Sequence, residues 1–163
     1  MNIFILDEDP RVAVQYLSDQ HVNKMTLETV QILCDVSLDL GQPVDTVPYK
    51  HTKGNQLPQK WIIQSRANWD WATIYLNYLN ERFYLKSFRN HGAYDVMKSS
   101  FIFLPKDGPL TPFPLTWNDD MYCCWVPADP LQSHRDYYCI KYNKWKSQGK
   151  KMTWDTGTKP DWI

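Results

Sequence analysis

Five polar residues recur at intervals of three and four along one stretch of the chain: His21, Lys24, Glu28, Gln31 and Asp35. Side chains spaced this way line one stripe of an α-helix, because residues three and four apart are neighbours on its surface. An imidazole, an amine and a carboxylate then share a face within two turns. These are a proton carrier, a candidate nucleophile, and a general base or charge stabiliser. Val22, Met25, Thr29, Ile32, Leu33 and Val36 form the neighbouring apolar stripe. The same pattern also describes a solvated face carrying a Lys24–Glu28 pair worth about 0.2–0.5 kcal/mol.

A second periodic stretch runs from Pro58 to Phe88, with Trp61, Ser65, Asn68, Ala72, Leu76, Leu79 and Phe83 on one stripe. Ser65 and Asn68 are polar residues on an otherwise apolar face. Buried polar groups without partners cost about 1–3 kcal/mol each, so the stripe is expected to face His21–Glu28 across a bundle and find partners there. Alternatively, the two form structural hydrogen bonds between helices. Arg66 and Asp70 fall on the outer face. His91, beside Gly92, reaches the same cavity or caps a helix end. Lys50, His51, Lys53 and Gly54 lie in a loop that can touch phosphate or be ordinary exposed chain. His134 and Arg135 read as surface. Trp61, Trp69 and Phe113 are candidates for stacking on a base. Asp7 and Asp9 with His21 are the metal-binding rival, but no ligand spacing supports a metal and no cofactor is expected.

The elements that must position these residues are helical. Ile3–Leu6 suits one short buried strand or an extended arm. Asp9-Pro10 reads as an N-cap followed by proline at the first helical position, opening a short helix to Leu17. Ser18-Asp19 starts a helix to about Leu40, with Gly41 just past its end. Residues 42–56, with Pro43, Pro48 and Gly54, form a loop. The Pro58–Phe88 helix follows, then a shorter one over Ala93–Phe103. Pro105, Pro109, Pro112 and Pro114 predict an ordered wrap over the helices rather than central strands. Asp129-Pro130 caps a last helix to about Lys146. The expected fold is mostly α: residues 1–163 form a single domain, a helical bundle with a short N-terminal extended segment and a Pro-rich wrapping loop.

Composition sets bounds. The chain of 163 residues is 43% hydrophobic and 15% aromatic with zero formal net charge, so no global field draws it to nucleic acid or membrane. Residues 1–50 hold three Lys/Arg and eight Asp/Glu, whereas residues 51–110 hold eight and four, so a basic face is expected from the middle of the chain. Cys34, Cys123, Cys124 and Cys139 show neither zinc nor disulfide-framework spacing and read as reduced thiols. The apolar run at the start is too short for a signal peptide, and no membrane contact is expected; the expected location is the cytoplasm.

Asp19-Gln20-His21-Val22, with Glu28 seven residues after the histidine, resembles the phage pyrimidine-dimer DNA glycosylase family of the endonuclease V type. Leu79-Asn80-Glu81-Arg82-Phe83 looks like that family's second helix end. Asp19–Leu33, Tyr49–Lys50, Trp61–Trp71 and Leu110-Thr111-Pro112-Phe113 also look like uncharacterised phage and bacterial proteins, some described as remote relatives of these glycosylases. The resemblance implies an all-helical domain and a glycosylase/lyase that attacks C1′ of a nucleotide through an imine. Glu28 would position or protonate the sugar, and His21 would sit beside the DNA or hold the helix end. The family's nucleophile is the α-amine of a small residue exposed by Met removal. Residue 2 here is Asn, before which Met is usually retained, so Lys24 is the replacement amine, given desolvation to lower its pKa. Without an amine, activated water would hydrolyse the glycosidic bond.

The expectation is thus an enzyme acting on DNA or a nucleotide, at a pyrimidine glycosidic bond or the base. Its catalytic residues would be Glu28, His21 and Lys24. Ser65, Asn68, His91, Trp61, Lys50, His51 and Phe113 would form the substrate-binding set. The alternative is a non-catalytic phage-type protein that binds or sequesters a nucleotide or a host partner.

Overall fold

In a computed structural model, residues 2–50, 56–97, 100, 103–115 and 129–163 are described. His51, Lys53, Cys123 and Cys124 lie outside them. The described residues form six α-helices and no strand: α1 (Pro10–Tyr16), α2 (Asp19–Asp39), α3 (Leu57–Ile62), α4 (Arg66–Ser87), α5 (Gly92–Met97) and α6 (Pro130–Ser147), with a 3-10 turn at Val44–Thr46.

The local signals act where side chains can reach their own backbone. Asp9 accepts from Arg11 N at 2.8 Å and Asp129 from Gln132 N at 2.9 Å, each capping a helix that begins on proline. Helix α2 ends in a left-handed turn at Gly41, φ 94°, where Gly41 N donates to Leu38 O and Gln42 N to Ser37 O. The apolar stripe of α2 is buried and packs along α4.

The Pro58–Phe88 helix is two helices. Ser65 leaves the helical conformation and accepts from Asn68 N at 3.2 Å, becoming the N-cap of α4. Its hydroxyl competes for backbone donors, so local capping overrides the apolar period at this point. The stretch after His91 is also shorter than the expected Ala93–Phe103 helix: α5 ends at Met97.

Residues 2–6 run extended through the interior, with Ile3, Phe4, Ile5 and Leu6 buried. No strand pairs with them among the described residues, so side chains satisfy their backbone. Tyr75 Oη donates to Phe4 O, Arg135 Nε to Leu6 O at 2.9 Å, and Ile5 N donates to His134 Nδ1. His134 is therefore fully buried rather than on the surface, with Nε2 donating to Pro114 O at 2.9 Å. The Pro-rich wrap is fastened at three described points: Arg66 N donates to Lys106 O, Asn68 holds Thr111, and His134 holds Pro114.

One buried ion pair ties four parts of the chain. Arg82 of α4 donates to Asp19 Oδ1 at 2.8 Å, to Leu17 O at 2.8 Å, and to Val14 O. It thereby takes up carbonyls at the end of α1, adding to the single long bond that Val14 O receives from Leu17 N at 3.2 Å. Asp19 also accepts from Thr153 Oγ1, Asp155 N and Thr156 Oγ1, so the C-terminal segment closes the same knot. Gly157 passes so near that a Cβ there would lie 2.5 Å from Arg82 Cζ and 2.7 Å from Gln15 O.

Candidate functional site

The stripe His21–Asp35 does not share one environment. Its two ends, His21 and Asp35, are buried, and Lys24 between them is exposed. Glu28 is sheltered: its side chain is 16% exposed, Oε2 accepts from Asn2 N at 3.0 Å, and Oε1 lies 3.5 Å from Lys24 Nζ. The buried extended segment thus delivers its first described amide to the carboxylate. The Lys24 side chain is 67% exposed, so the desolvation that a lysine nucleophile needs is not supplied by its surroundings.

His21 is held by its Nδ1, 2.6 Å from Tyr138 Oη and 3.0 Å from Ser18 Oγ. Tyr138 Oη accepts from Ser18 N at 2.8 Å and can give its own hydrogen to Nδ1; in that tautomer the neutral ring carries its hydrogen on Nε2. Burial, reinforced by the positive charges of Lys24 and Lys141, lowers the His21 pKa to about 3. At neutral pH the ring is an uncharged hydrogen-bond donor.

His21 and Lys24 open onto a cavity of about 500 Å³ between the start of α2 and the end of α6. Across from them stand Lys141 and Trp145 of α6, and Lys150 and Lys151 beyond it. The Trp145 ring lies 4.2 Å from the His21 ring, centroid to centroid. Two local devices bring these residues there. Gly149, φ 72°, terminates α6 in a left-handed turn in which Lys150 N donates back to Trp145 O at 3.0 Å. The chain then pairs with the start of α2: Asp19 N donates to Thr153 O, Thr153 N to Gln20 Oε1, and Gln20 Nε2 to Thr153 Oγ1. Asp19 and Gln20 thus hold the C-terminal segment, while His21 lines the space it encloses.

The expected substrate-binding residues divide. Trp61, Ser65, Asn68 and Phe113 belong to a different place. Asn68 Nδ2 donates to Trp61 O and Thr111 Oγ1, both at 2.7 Å, and its Oδ1 accepts from Thr111 N at 3.0 Å. Trp61 packs on Phe113 and Trp71. The partners of Ser65 and Asn68 therefore come from their own helical region and the Pro-rich wrap, not from the His21–Glu28 stripe. His91 caps the start of α5 by accepting from Ala93 N, and its Nε2 meets Asn23 Oδ1 at 3.1 Å. The end of α4 is instead closed by Phe88 at φ 55°. Lys50 is exposed, and His51 lies outside the described residues.

Lys141, Trp145, Lys150 and Lys151 are absent from the sequence-derived set. Their signal is a glycine two residues past a helix end, followed by paired lysines. In the middle of the chain, where a basic face is expected, three basic side chains meet carboxylates: Arg66 pairs with Asp70, and Arg82 and Lys86 both meet Asp19. No group of three or more His, Cys, Asp or Glu among the described residues is disposed to hold a metal. Asp7 receives Arg135, and Asp9 caps α1.

Asn68→Ala removes the acceptor for Thr111 N and the donor to Thr111 Oγ1, and leaves Trp61 O with only the longer bond from Gln64 N at 3.2 Å. We expect it to lower stability by about 1–3 kcal/mol and to speed proteolytic cleavage within residues 103–115. Urea titration and limited proteolysis read both. A loss of ligand binding at the α2–α6 cavity without loss of stability would overturn this structural role.

No family model matches the chain, and no curated protein and no solved structure matches it. No helix among the described residues is long and apolar enough to cross a membrane.

Proposed function

We propose that this protein is an enzyme acting at the N-glycosidic bond or base of a pyrimidine nucleotide, in DNA or free, in the cytoplasm, with Glu28 as its acid/base. The observation that carries the reading is the sheltered Glu28 carboxylate, which faces one backbone donor and one ammonium group at 3.0 and 3.5 Å. An ionised carboxylate there can stabilise positive charge developing at C1′ or take a proton from an attacking group. Lys24 borders both the carboxylate and the cavity, so one side chain links the reacting group to the space a nucleotide would fill.

Two nucleophiles fit the chemistry, an α-amine at the Asn2 nitrogen where Met is removed and water, whereas the exposed Lys24 Nζ lacks the desolvation an amine nucleophile needs. With water, its oxygen bonds to C1′, the C1′–N bond breaks with its electrons passing to the base, and Glu28 takes the proton. With an amine, its nitrogen bonds to C1′ as the base leaves with the C1′–N electrons, Glu28 takes a proton from that nitrogen, and opening of the C1′–O4′ bond with protonation of O4′ gives an imine that borohydride reduces.

Glu28→Gln removes the ionisable oxygen while keeping shape, and is expected to cut turnover by about 10²–10⁴-fold with substrate binding retained. Release of the base from its sugar is the measurement, read as free base from uracil-containing DNA and free nucleotides and as abasic-site formation in photodamaged DNA. Wild-type protein that releases no base from any of these, or a Glu28→Gln variant with full turnover, would sink the reading. Borohydride labelling that survives Lys24→Ala and maps to the first residue assigns the α-amine; absence of label in an active enzyme assigns water.

A further inference from the structure

Apart from Lys24, the cavity between α2 and α6 is built from groups that Glu28 chemistry does not use. Lys141, Lys150 and Lys151 converge on it from two directions, and no acidic side chain among the described residues pairs with them. Lys24 adds a fourth ammonium at the rim, its one carboxylate partner lying 3.5 Å away. Like charges gathered around one concavity repel each other unless an anion sits among them. Lysines, as compact point charges on flexible stems, suit the oxygens of a phosphate.

The remaining walls are not ionic. Trp145 and Phe4 offer aromatic surface, Met25 and Met152 offer apolar surface, and the His21 ring presents an uncharged N–H. Aromatic faces stack on planar rings whatever their sequence identity, and a neutral donor matches a carbonyl oxygen on such a ring. A volume of about 500 Å³ lies within the about 300–1,000 Å³ range of small-molecule sites.

We infer that this cavity binds one phosphorylated nucleoside with a carbonyl-bearing base: Lys141, Lys150 and Lys151 hold the phosphate, Trp145 stacks on the base, and His21 Nε2 donates to its carbonyl. Two sources share this chemistry, a free mononucleotide and a single residue of a DNA strand. The inference deepens the reading above and shares its premise of a nucleotide ligand, but it rests on a different set of side chains.

The test is calorimetric titration of the full chain with dTMP, thymidine, inorganic phosphate and a short oligo-dT strand. Wild-type protein is expected to bind dTMP or the strand, with thymidine and phosphate each weaker by roughly tenfold or more. Saturation by dTMP assigns the free nucleotide; binding of the strand alone assigns a residue within DNA. Lys150 and Lys151 are exposed, so Lys150→Glu with Lys151→Glu is expected to keep the wild-type melting temperature. That double variant should lose roughly tenfold or more in affinity and have a smaller salt dependence for the strand. Trp145→Ala should weaken dTMP more than phosphate. The inference is overturned if wild-type protein binds neither dTMP nor the strand, if phosphate alone binds as well as dTMP, or if the double variant binds like wild type. Binding of dTMP by a protein that releases no base would leave the cavity assignment standing and remove the glycosidic reading. Base release at unchanged kcat/KM in the double variant would do the reverse.

Discussion

Arg82→Ala is expected to destabilise the protein by about 3–5 kcal/mol, the usual cost of removing one partner from a buried ion pair. Both side chains are essentially out of water: that of Arg82 is 1% exposed and that of Asp19 0%. Loss of the guanidinium leaves the Asp19 carboxylate with Thr153, Asp155, Thr156 and the partly exposed Lys86, and it strips donors from Leu17 O and Val14 O. Chemical denaturation followed by circular dichroism reads the loss directly. Against a total stability of about 5–15 kcal/mol, the variant would be partly unfolded at moderate temperature. Asp19→Asn keeps the shape but strands the buried Arg82 guanidinium without its opposite charge, so it should destabilise by a comparable amount. A change below about 1 kcal/mol for Arg82→Ala would show that the knot does not govern the fold.

The second large effect is acid destabilisation beginning near neutrality. His21 and His134 are buried, and burial lowers their pKa values from 6.5 to about 3 and about 4. In the unfolded chain both take up protons as pH falls through 6.5; in the folded chain both stay neutral. The unfolded state then binds about two more protons, so stability falls with falling pH. It is fully present above 6.5 and is expected to drop by about 3–4 kcal/mol between pH 7.5 and pH 5 from these two residues. Asp19 acts at lower pH. Burial raises its pKa, but hydrogen bonds from Thr153, Asp155 and Thr156 outweigh this and hold it at about 2, against an ordinary 3.8. Its contribution is present above 3.8 and is lost as pH falls toward 2. Melting temperature measured across pH 4–8 checks the first window. A flat profile from 7.5 to 5 would refute it, and His134→Gln should reduce the slope by about one proton's worth.

Much of the helical scaffold was legible because its signals are local. Asp9-Pro10 and Asp129-Pro130 each place a side-chain acceptor beside the first backbone donors of their own helix, and Gly41 supplies the left-handed turn that closes α2. The apolar stripe of α2 needs only the helical period to be recognised. The break at Ser65 was carried by the same kind of signal, but it competed with a longer periodic pattern, and the hydroxyl prevailed.

The order of residues along the chain sets which of them share a face and where helices start and stop, since those depend on contacts within about four positions. Tertiary structure alone decided what each face meets. His134 is buried because an extended segment 129 residues away needs acceptors and donors for its backbone. Asn68 binds Thr111, 43 residues on, instead of the α2 stripe. Lys150 and Lys151 stand beside His21 because Thr153 caps the start of α2 from 134 positions along the chain. Periodicity does not encode such partners, because any buried polar group is satisfied by whichever complementary group the packed chain brings within about 3 Å.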